Sequence, residues 1–306
     1  MEVLYFLEKI RMPVLNELML LITTLGEETA FLVVAMIVFW CVNKRYGYYM
    51  MTVGFLGTLI NQILKLTFRE PRPWVIDPEF TILEQAREAA TGFSLPSGHT
   101  TFAVGTFGSI AAFTDRNWVK YSCIAVCILV PFSRMYVGVH TPVDVISGAA
   151  IALMLVWMLR PMCWRELSDR RVMDLFVMML SLAFTLLLFA FLDPFGIPQD
   201  QQENLLSGSK NAYTMIGAVA GLMVVYPLEK KYVNFETKAK WWVQVLKVML
   251  GLILVVAVKE GLRSPLEMLF MGHMAARAVR YFLVVITAGL LWPMSFRWFS
   301  KLGVKK

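Results

Sequence analysis

Charge is scarce in this 306-residue chain: 17% of its residues are Asp, Glu, Lys or Arg, against 58% hydrophobic residues and a mean hydropathy of +0.62. That balance excludes an ordinary soluble domain of this length. Cysteine is scarce too. Cys41, Cys123, Cys127 and Cys163 fall within apolar segments or on the side read below as cytoplasmic, which argues against a disulfide framework. Cys123 and Cys127 lie one helical turn apart, with no histidine or second pair beside them, so a zinc site is not expected there. The chain shows no internal repeat and no low-complexity linker. Residues Met1 to Pro13 lack the long apolar stretch and small-residue exit of a cleavable signal. Glu2, Lys9 and Arg11 among Val3, Leu4, Phe6, Leu7 and Ile10 predict a short interfacial helix instead.

What the chain has in abundance is apolar segments of bilayer length. They fall at 29–43, 46–66, 99–115, 118–136, 141–160, 173–192, 211–228, 241–258 and 279–296, mostly free of charge and several rich in Leu, Val, Met and Phe. The expected fold is all-α: a polytopic transmembrane bundle of about nine spans, divided into a catalytic core at 1–160 and additional helices at 161–306 packed on it. The cations orient it. With alternating spans, sixteen of the 29 Lys and Arg residues collect in short connections and the tail on one side, from Lys44 and Arg45 to Lys305 and Lys306. The positive-inside rule makes that side cytoplasmic and leaves the N-terminus outside. The net charge of +7 and pI near 9.2 follow from these juxtamembrane cations facing anionic lipid. No nucleic-acid module is visible, and nucleic acid is not an expected partner.

Three short motifs then fall on the non-cytoplasmic face. The first is Lys65-x6-Arg72-Pro73, where Pro71 and Pro73 stop the helix that Lys65 ends. In the second, Pro96-Ser97-Gly98-His99, Ser97 suits an N-cap, Gly98 admits a ligand close to backbone, and the free amides of a helix start favour an anion. The third is Ser133-Arg134-x5-His140-x3-Asp144, in which Thr141-Pro142-Val143-Asp144 supplies a cap, a proline at N1 and an acid at N3. An acid that close can hold one nitrogen of His140 and leave the other free as a nucleophile. Taken singly, each motif has a plainer reading. Lys65 and Arg72 suit cations snorkelling to headgroups, Ser97 a simple cap beside an interfacial His99, and Asp144 a capping acid. Together they supply what a tetrahedral phosphate dianion requires: fixed positive charge, a nucleophile and a proton donor.

The order and spacing KxxxxxxRP, PSGH and SRxxxxxHxxxD resemble the three signature motifs of the type 2 phosphatidic acid phosphatase (PAP2) superfamily, which includes glucose-6-phosphatases and vanadium haloperoxidases. The likeness covers residues 65 to 144 with every signature position filled. It implies that His140 attacks phosphorus to form a phosphohistidine, oriented by Asp144, and that His99 protonates the leaving oxygen. It further implies that Lys65, Arg72 and Arg134, with Ser97 and the Gly98 amide, hold the phosphoryl oxygens, and that no metal or other cofactor takes part. The expected partners are the bilayer and a lipid phosphate: a monoester such as phosphatidic acid, phosphatidylglycerophosphate or a sphingoid phosphate, or an isoprenyl pyrophosphate. Nine spans with the N-terminus outside also resemble the glucose-6-phosphatase arrangement, which keeps a soluble sugar phosphatase as the alternative. A catalytically idle lipid-binding or transport protein is the third reading, disfavoured by the intact motifs. Abundant Met and a C-terminus without a retention signal point to a bacterial inner membrane with the site facing outward.

Four further features call for placement. Thr81 to Ala90 predicts a solvated amphipathic segment forming a lid or rim. Gly217-x3-Gly221 predicts a close helix contact. Lys247, inside a span, calls for a partner such as Asp174 or Glu260. His273 is expected at the interface, with Arg277 and Arg280 on the same face as candidates for a headgroup.

Overall fold

The computed structural model describes residues 1–164, 168–193, 196 and 202–299; Arg165, Lys301, Lys305 and Lys306 of the charge pattern lie outside them. Every regular element among the described residues is helical. In chain order they are α1 (Glu2–Lys9), α2 (Pro13–Thr24), α3 (Glu28–Ile37, continued by a π turn at Val38–Val42), α4 (Lys44–Phe68), the short α5 (Pro73–Ile76), α6 (Gly98–Phe113), α7 (Asn117–Tyr136), α8 (Pro142–Leu159), α9 (Pro161–Trp164), α10 (Asp169–Leu192), α11 (Gln202–Leu228), α12 (Trp241–Gly261), α13 (Arg263–Leu269) and α14 (Ala275–Ile286).

All nine apolar segments are helical, but they do not all pass as independent spans. Among the described residues, seven helices are long and apolar enough to cross a membrane, and α2 with α3, bent by 53°, makes an eighth if the pair is one span. The segment read at 29–43 is the second half of that bent pair. The remaining one, α6, has 16 residues and a length of about 24 Å at 1.5 Å per residue, short of the hydrocarbon thickness. It lies inside the bundle, packed by α3, α4, α7 and α8. Its buried face is small and polar, with Thr100, Thr101, Ala103, Gly105, Thr106 and Ser109. Such side chains let backbones approach closely where no hydrophobic effect drives helices together.

The apolar surface is turned outward as a lipid environment demands: Trp157, Phe191, Leu192, Ile253 and Val256 are exposed. The helices that follow α9 join the first group through α10 and α11, both packed on α4, and α14 lies against α11. Gly217 sets that last contact. A Cβ there would stand 2.0 Å from the carbonyl oxygen of Ala278. Lys247 is not paired with Asp174 or Glu260; its Nζ donates to the Trp40 carbonyl at 3.0 Å and lies 4.1 Å from the Phe296 ring centroid.

Outside the bundle, the segment Thr81 to Ala90 is a loop with one 3-10 turn at Glu84–Ala86. Phe80, Ile82, Ala86 and Ala90 are buried, so the apolar side chains anchor a loop. The interfacial helix α1 clasps it. Leu4 packs on Phe80 and Ile82, and the Tyr5 hydroxyl donates to Asp77 at 2.6 Å. Arg11 donates to the Thr81 carbonyl at 2.8 Å and the Tyr136 carbonyl at 3.0 Å.

The Gly217 contact makes a measurable demand. Gly217→Ala forces α11 and α14 apart and costs about 1–3 kcal/mol by overpacking, seen as a lower thermal midpoint in detergent. Gly261→Ala, with nothing within 4 Å of the new Cβ, leaves the midpoint unchanged or raises it; equal losses would show that the close approach does not carry the contact.

Candidate active site

The three motifs converge because short hydrogen bonds join the elements that carry them. The Ser97 amide donates to the backbone carbonyl of Asp144 at 2.9 Å, fastening the start of α6 to the start of α8. Gly148 permits this approach, since a Cβ there would stand 2.6 Å from the Ser97 carbonyl oxygen. The Ser94 amide donates to the carbonyl of Glu70 at 2.8 Å, which ties the segment before α6 to the end of α4. The sequence-predicted cap of α8 forms as a capping box: the Asp144 amide donates to Thr141 Oγ1, and the Thr141 amide donates to Asp144 Oδ2 at 2.7 Å.

His140 is buried at this junction, with its Nδ1 3.4 Å from Asp144 Oδ2. Asp144 Oδ2 also accepts from the Ser94 hydroxyl at 2.7 Å, and that hydroxyl lies 3.4 Å from Nδ1. Arg72 Nη1 stands 3.0 Å from His140 Nε2. A guanidinium can only donate, so Nε2 is the unprotonated nitrogen and Nδ1 carries its hydrogen toward Asp144. Burial, with the charges of Arg72, Arg134 and Lys65, holds the His140 imidazole well below its ordinary pKa and therefore neutral. Its Nε2 lone pair is free of a proton, the condition a nucleophilic histidine must meet.

The cations have fixed places. Arg72 is clamped by carbonyls: Nε on Gly92 at 3.1 Å, Nη2 on Thr91 at 2.8 Å and Nη1 on Val139 at 3.0 Å. Lys65, in the last turn of α4, donates to the Phe93 carbonyl. Arg134 donates from Nη1 to Thr23 Oγ1 at 2.8 Å, while its Nε and Nη2 are buried without a hydrogen-bond partner among the described residues. His99 Nε2 is likewise buried and unpartnered. Ser97 is the N-cap of α6, accepting from the Thr100 amide. A Cβ on Gly98 would meet only Asn61 Oδ1, at 4.0 Å, so the helix start is open on that side.

Lys65, Arg72, Gly98, His99 and His140 line one cavity of about 480 Å³. Ser97, Arg134 and Asp144 stand behind its wall, fully buried. From this polar end the cavity runs between apolar side chains of α3, α4, α6, α11, α12 and α14, among them Leu32, Phe55, Phe102, Met215, Val255 and Val284. Three participants escape the sequence patterns: Ser94 beside Asp144, Thr23 on Arg134, and Asn61, whose amide donates to the Pro96 carbonyl at 3.3 Å and to Thr101 Oγ1 at 3.2 Å. Ser94 lies in irregular backbone and Thr23 more than a hundred residues from its partner; neither carries a local signal. Asn61, a polar residue one turn before Lys65 inside an apolar span, is the one that polarity alone marks. His273 is exposed, its ring against Tyr213, away from this cavity.

Comparison with known proteins agrees with this geometry. Residues 43–168 match the model of the PAP2 superfamily, and residues 213–305 match that of the PAP2 superfamily phosphatase, transmembrane extension. Relatives include the undecaprenyl-diphosphatase BcrC of Bacillus subtilis, 32% identical over 37% of this chain and 55% of its own length. An undecaprenyl-diphosphatase of Sulfolobus acidocaldarius is 28% identical over 44% of this chain and 64% of its own. The phosphatidylglycerophosphatase B of Bacillus subtilis is 30% identical over 49% of this chain and 76% of its own. The chain thus spans less than two thirds of each of the two diphosphatases. No solved structure matches.

Asp144 is the one buried carboxylate beside Lys65, Arg72 and Arg134, while Glu27 and Glu28 line the same cavity half-buried. The open N–H groups of Arg134 are a place for a tetrahedral oxyanion. Orthovanadate is therefore expected to raise the thermal midpoint of the detergent-solubilised protein, by about 2.7 kcal/mol of stabilisation at a hundred times its dissociation constant. Arg134→Gln or His140→Asn abolishes the shift. A shift retained in both variants would place the anion elsewhere.

Proposed function

We propose that this chain, which belongs to the PAP2 superfamily, is a membrane-integral phosphatase that hydrolyses lipid phosphate monoesters or lipid diphosphates through a phosphohistidine intermediate. One observation carries the reading: a neutral, carboxylate-oriented histidine stands among fixed cations at the polar end of an apolar cavity inside the helix bundle. A lipid phosphate has that same division, a dianion on an apolar chain.

In the first step the Nε2 lone pair of His140 attacks phosphorus, the bond to the lipid oxygen breaks, and His99 Nε2 delivers a proton to that oxygen. Arg72, Arg134 and Lys65 carry the charge on the phosphoryl oxygens, assisted by the amides at Ser97 and Gly98, and so provide what a metal would otherwise supply. In the second step His99 takes a proton from water, the water oxygen attacks phosphorus, and the N–P bond breaks to release inorganic phosphate. Asp144 stabilises the imidazolium that forms while His140 is phosphorylated. Residues 1–160 act as the catalytic core and 161–306 as added helices that complete the cavity wall. The excess of Lys and Arg in the opposite connections turns the site to the non-cytoplasmic face, in a bacterial inner membrane.

Phosphate release from a panel of lipid phosphates, lipid diphosphates and glucose 6-phosphate tests the reading. His140→Ala abolishes turnover, and EDTA leaves it intact; activity in His140→Ala, or loss in EDTA restored by magnesium, overturns the mechanism. Shortening the lipid by four carbons weakens binding by about two powers of ten if its chain is fully buried, at ~0.8 kcal/mol per CH₂. Flat chain-length dependence with efficient glucose 6-phosphate turnover would make the sugar phosphatase the better reading.

Ser94→Ala separates orientation from binding. Losing a hydrogen bond to a charged carboxylate costs about 1.5–3 kcal/mol, so kcat falls roughly ten- to a hundredfold while KM is kept. An unchanged kcat would remove Ser94 from the site.

A further inference from the structure

A second group of cations, contributed by α11 and α14, lies next to the catalytic cavity without belonging to it. A separate cavity of about 770 Å³ shares Arg72, Thr91 and Asn211 with the first and is lined on its far side by Lys210 and Arg277. Lys210 and Arg277 also line a smaller one of about 260 Å³, together with Arg280 and His273. A continuous row of basic side chains thus leads from the nucleophile into the C-terminal helices.

These side chains are held in place. Arg277 Nε donates to Thr214 Oγ1 at 2.6 Å, and Thr214 lines the catalytic cavity, so Arg277 stands at the partition between the two. Arg277 and Arg280 lie 5.4 and 5.7 Å from the Tyr281 ring centroid. Arg280 is 8% exposed, and its Nε is buried without a partner among the described residues. The nearby acids do not pair with the group. Glu28, on the wall of the catalytic cavity, acts on Arg277 from beyond ion-pair distance. Glu203 lines the larger cavity but makes no ion pair with it, and Glu267, at the smaller one, is taken by Arg263 at 3.4 Å. Neither Lys210, Arg277 nor Arg280 has a carboxylate within ion-pair distance among the described residues. A cation that merely snorkels extends its head into water. A buried guanidinium with an open N–H fork is instead the group that takes a phosphate in two parallel hydrogen bonds.

We propose that Lys210, Arg277 and Arg280 form a second phosphate-binding site, which holds a phosphate group of the substrate other than the one His140 attacks. The substrate is then a lipid with two phosphates, joined directly or through a short linker. Its chain lies in the apolar cavity, its terminal phosphate at Arg72 and His140, and its inner phosphate at the Arg277 partition. This assignment rests on the phosphatase reading for its substrate, while the anion site itself does not.

The test compares a lipid diphosphate with the monophosphate of the same chain, using the full-length protein in detergent. Arg277→Gln and Arg280→Gln each lower kcat/KM for the diphosphate by about ten- to a hundredfold, the loss of one charge-assisted pair, and for the monophosphate by less than threefold. Exposed Lys210→Gln gives the same discrimination, in smaller degree, if the buried arginine variants fail to fold. Equal losses on both substrates, or none, overturn the proposal. So does weaker inhibition by inorganic phosphate with an unchanged diphosphate preference, which would make released phosphate the occupant.

A readout without turnover keeps the two readings apart. Methylene diphosphonate is expected to raise the thermal midpoint of the wild type more than methylphosphonate does, and that excess disappears in the Arg277 and Arg280 variants while orthovanadate stabilisation persists. That result in a protein that hydrolyses none of the lipids would reject the phosphatase and keep the site; an excess untouched by the substitutions rejects the site.

Discussion

The structure turns on the burial of three cations around one histidine, with Asp144 the one buried carboxylate among them and Glu27 and Glu28 half-buried on the cavity wall. Removing such charges from water costs several kcal/mol apiece unless hydrogen bonds replace the lost solvent. Here much of the replacement comes from backbone. Arg72 and Lys65 take the carbonyls of Thr91, Gly92 and Phe93, three consecutive residues of the long loop between α5 and α6. The exchange satisfies both sides, because carbonyls of an irregular segment at the membrane surface also need donors. The loop is therefore organised by the site it covers. Its outer half is pinned by the apolar anchors Phe80 and Ile82 under α1.

Arg134 is the exception that gives the site its direction. Its Nη1 is held by Thr23, yet Nε and Nη2 have no hydrogen-bond partner among the described residues. With His99 Nε2 in the same condition, two buried polar groups remain unfilled beside His140 among the described residues. A polar network in a protein interior is stable only when its members are satisfied. An incomplete one built from cations is a template for an anion. The same reasoning separates this site from Lys247, which is just as buried but finds the Trp40 carbonyl and the Phe296 ring. Intramembrane charge marks function where its hydrogen-bonding capacity is left open, and marks packing where it is filled.

Much of this was legible from residue order. The motif spacing brought Lys65, Arg72, His99, Arg134, His140 and Asp144 into one region, since each sits at a helix end where Pro, Gly or a cap stops the helix. The capping box at Thr141 could be read because its signal is confined to four residues. What escaped is non-local. Ser94 reaches Asp144 across fifty residues, and Thr23 meets Arg134 through the bend between α2 and α3. Hydropathy also registers composition but neither bend nor length: it does not show that α2 and α3 meet at 53° or that α6 has only 16 residues. The amphipathic pattern of Thr81 to Ala90 is present, with Ile82, Ala86 and Ala90 buried and Glu84, Arg87 and Glu88 exposed, but on a loop anchored from two sides.

The C-terminal helices change what kind of pocket this is. Without α11, α12 and α14 the polar end would keep its motif residues, but Met215, Val255 and Val284 would be missing from the apolar wall and Lys210 and Arg277 from the polar one. The added block thus lines both the apolar cavity and the basic one beside it, while the motif residues Lys65, Arg72, His99 and His140 line the polar end of the first. In the proposed reading, bond breaking and molecular recognition are carried by different parts of the chain, joined where α10 and α11 pack on α4, with α14 fixed on α11 by the close approach at Gly217. A rigid junction is needed there. Displacement of α14 relative to α11 moves Arg277 with respect to Arg72, and so changes the separation between the two anion-binding points proposed for one substrate.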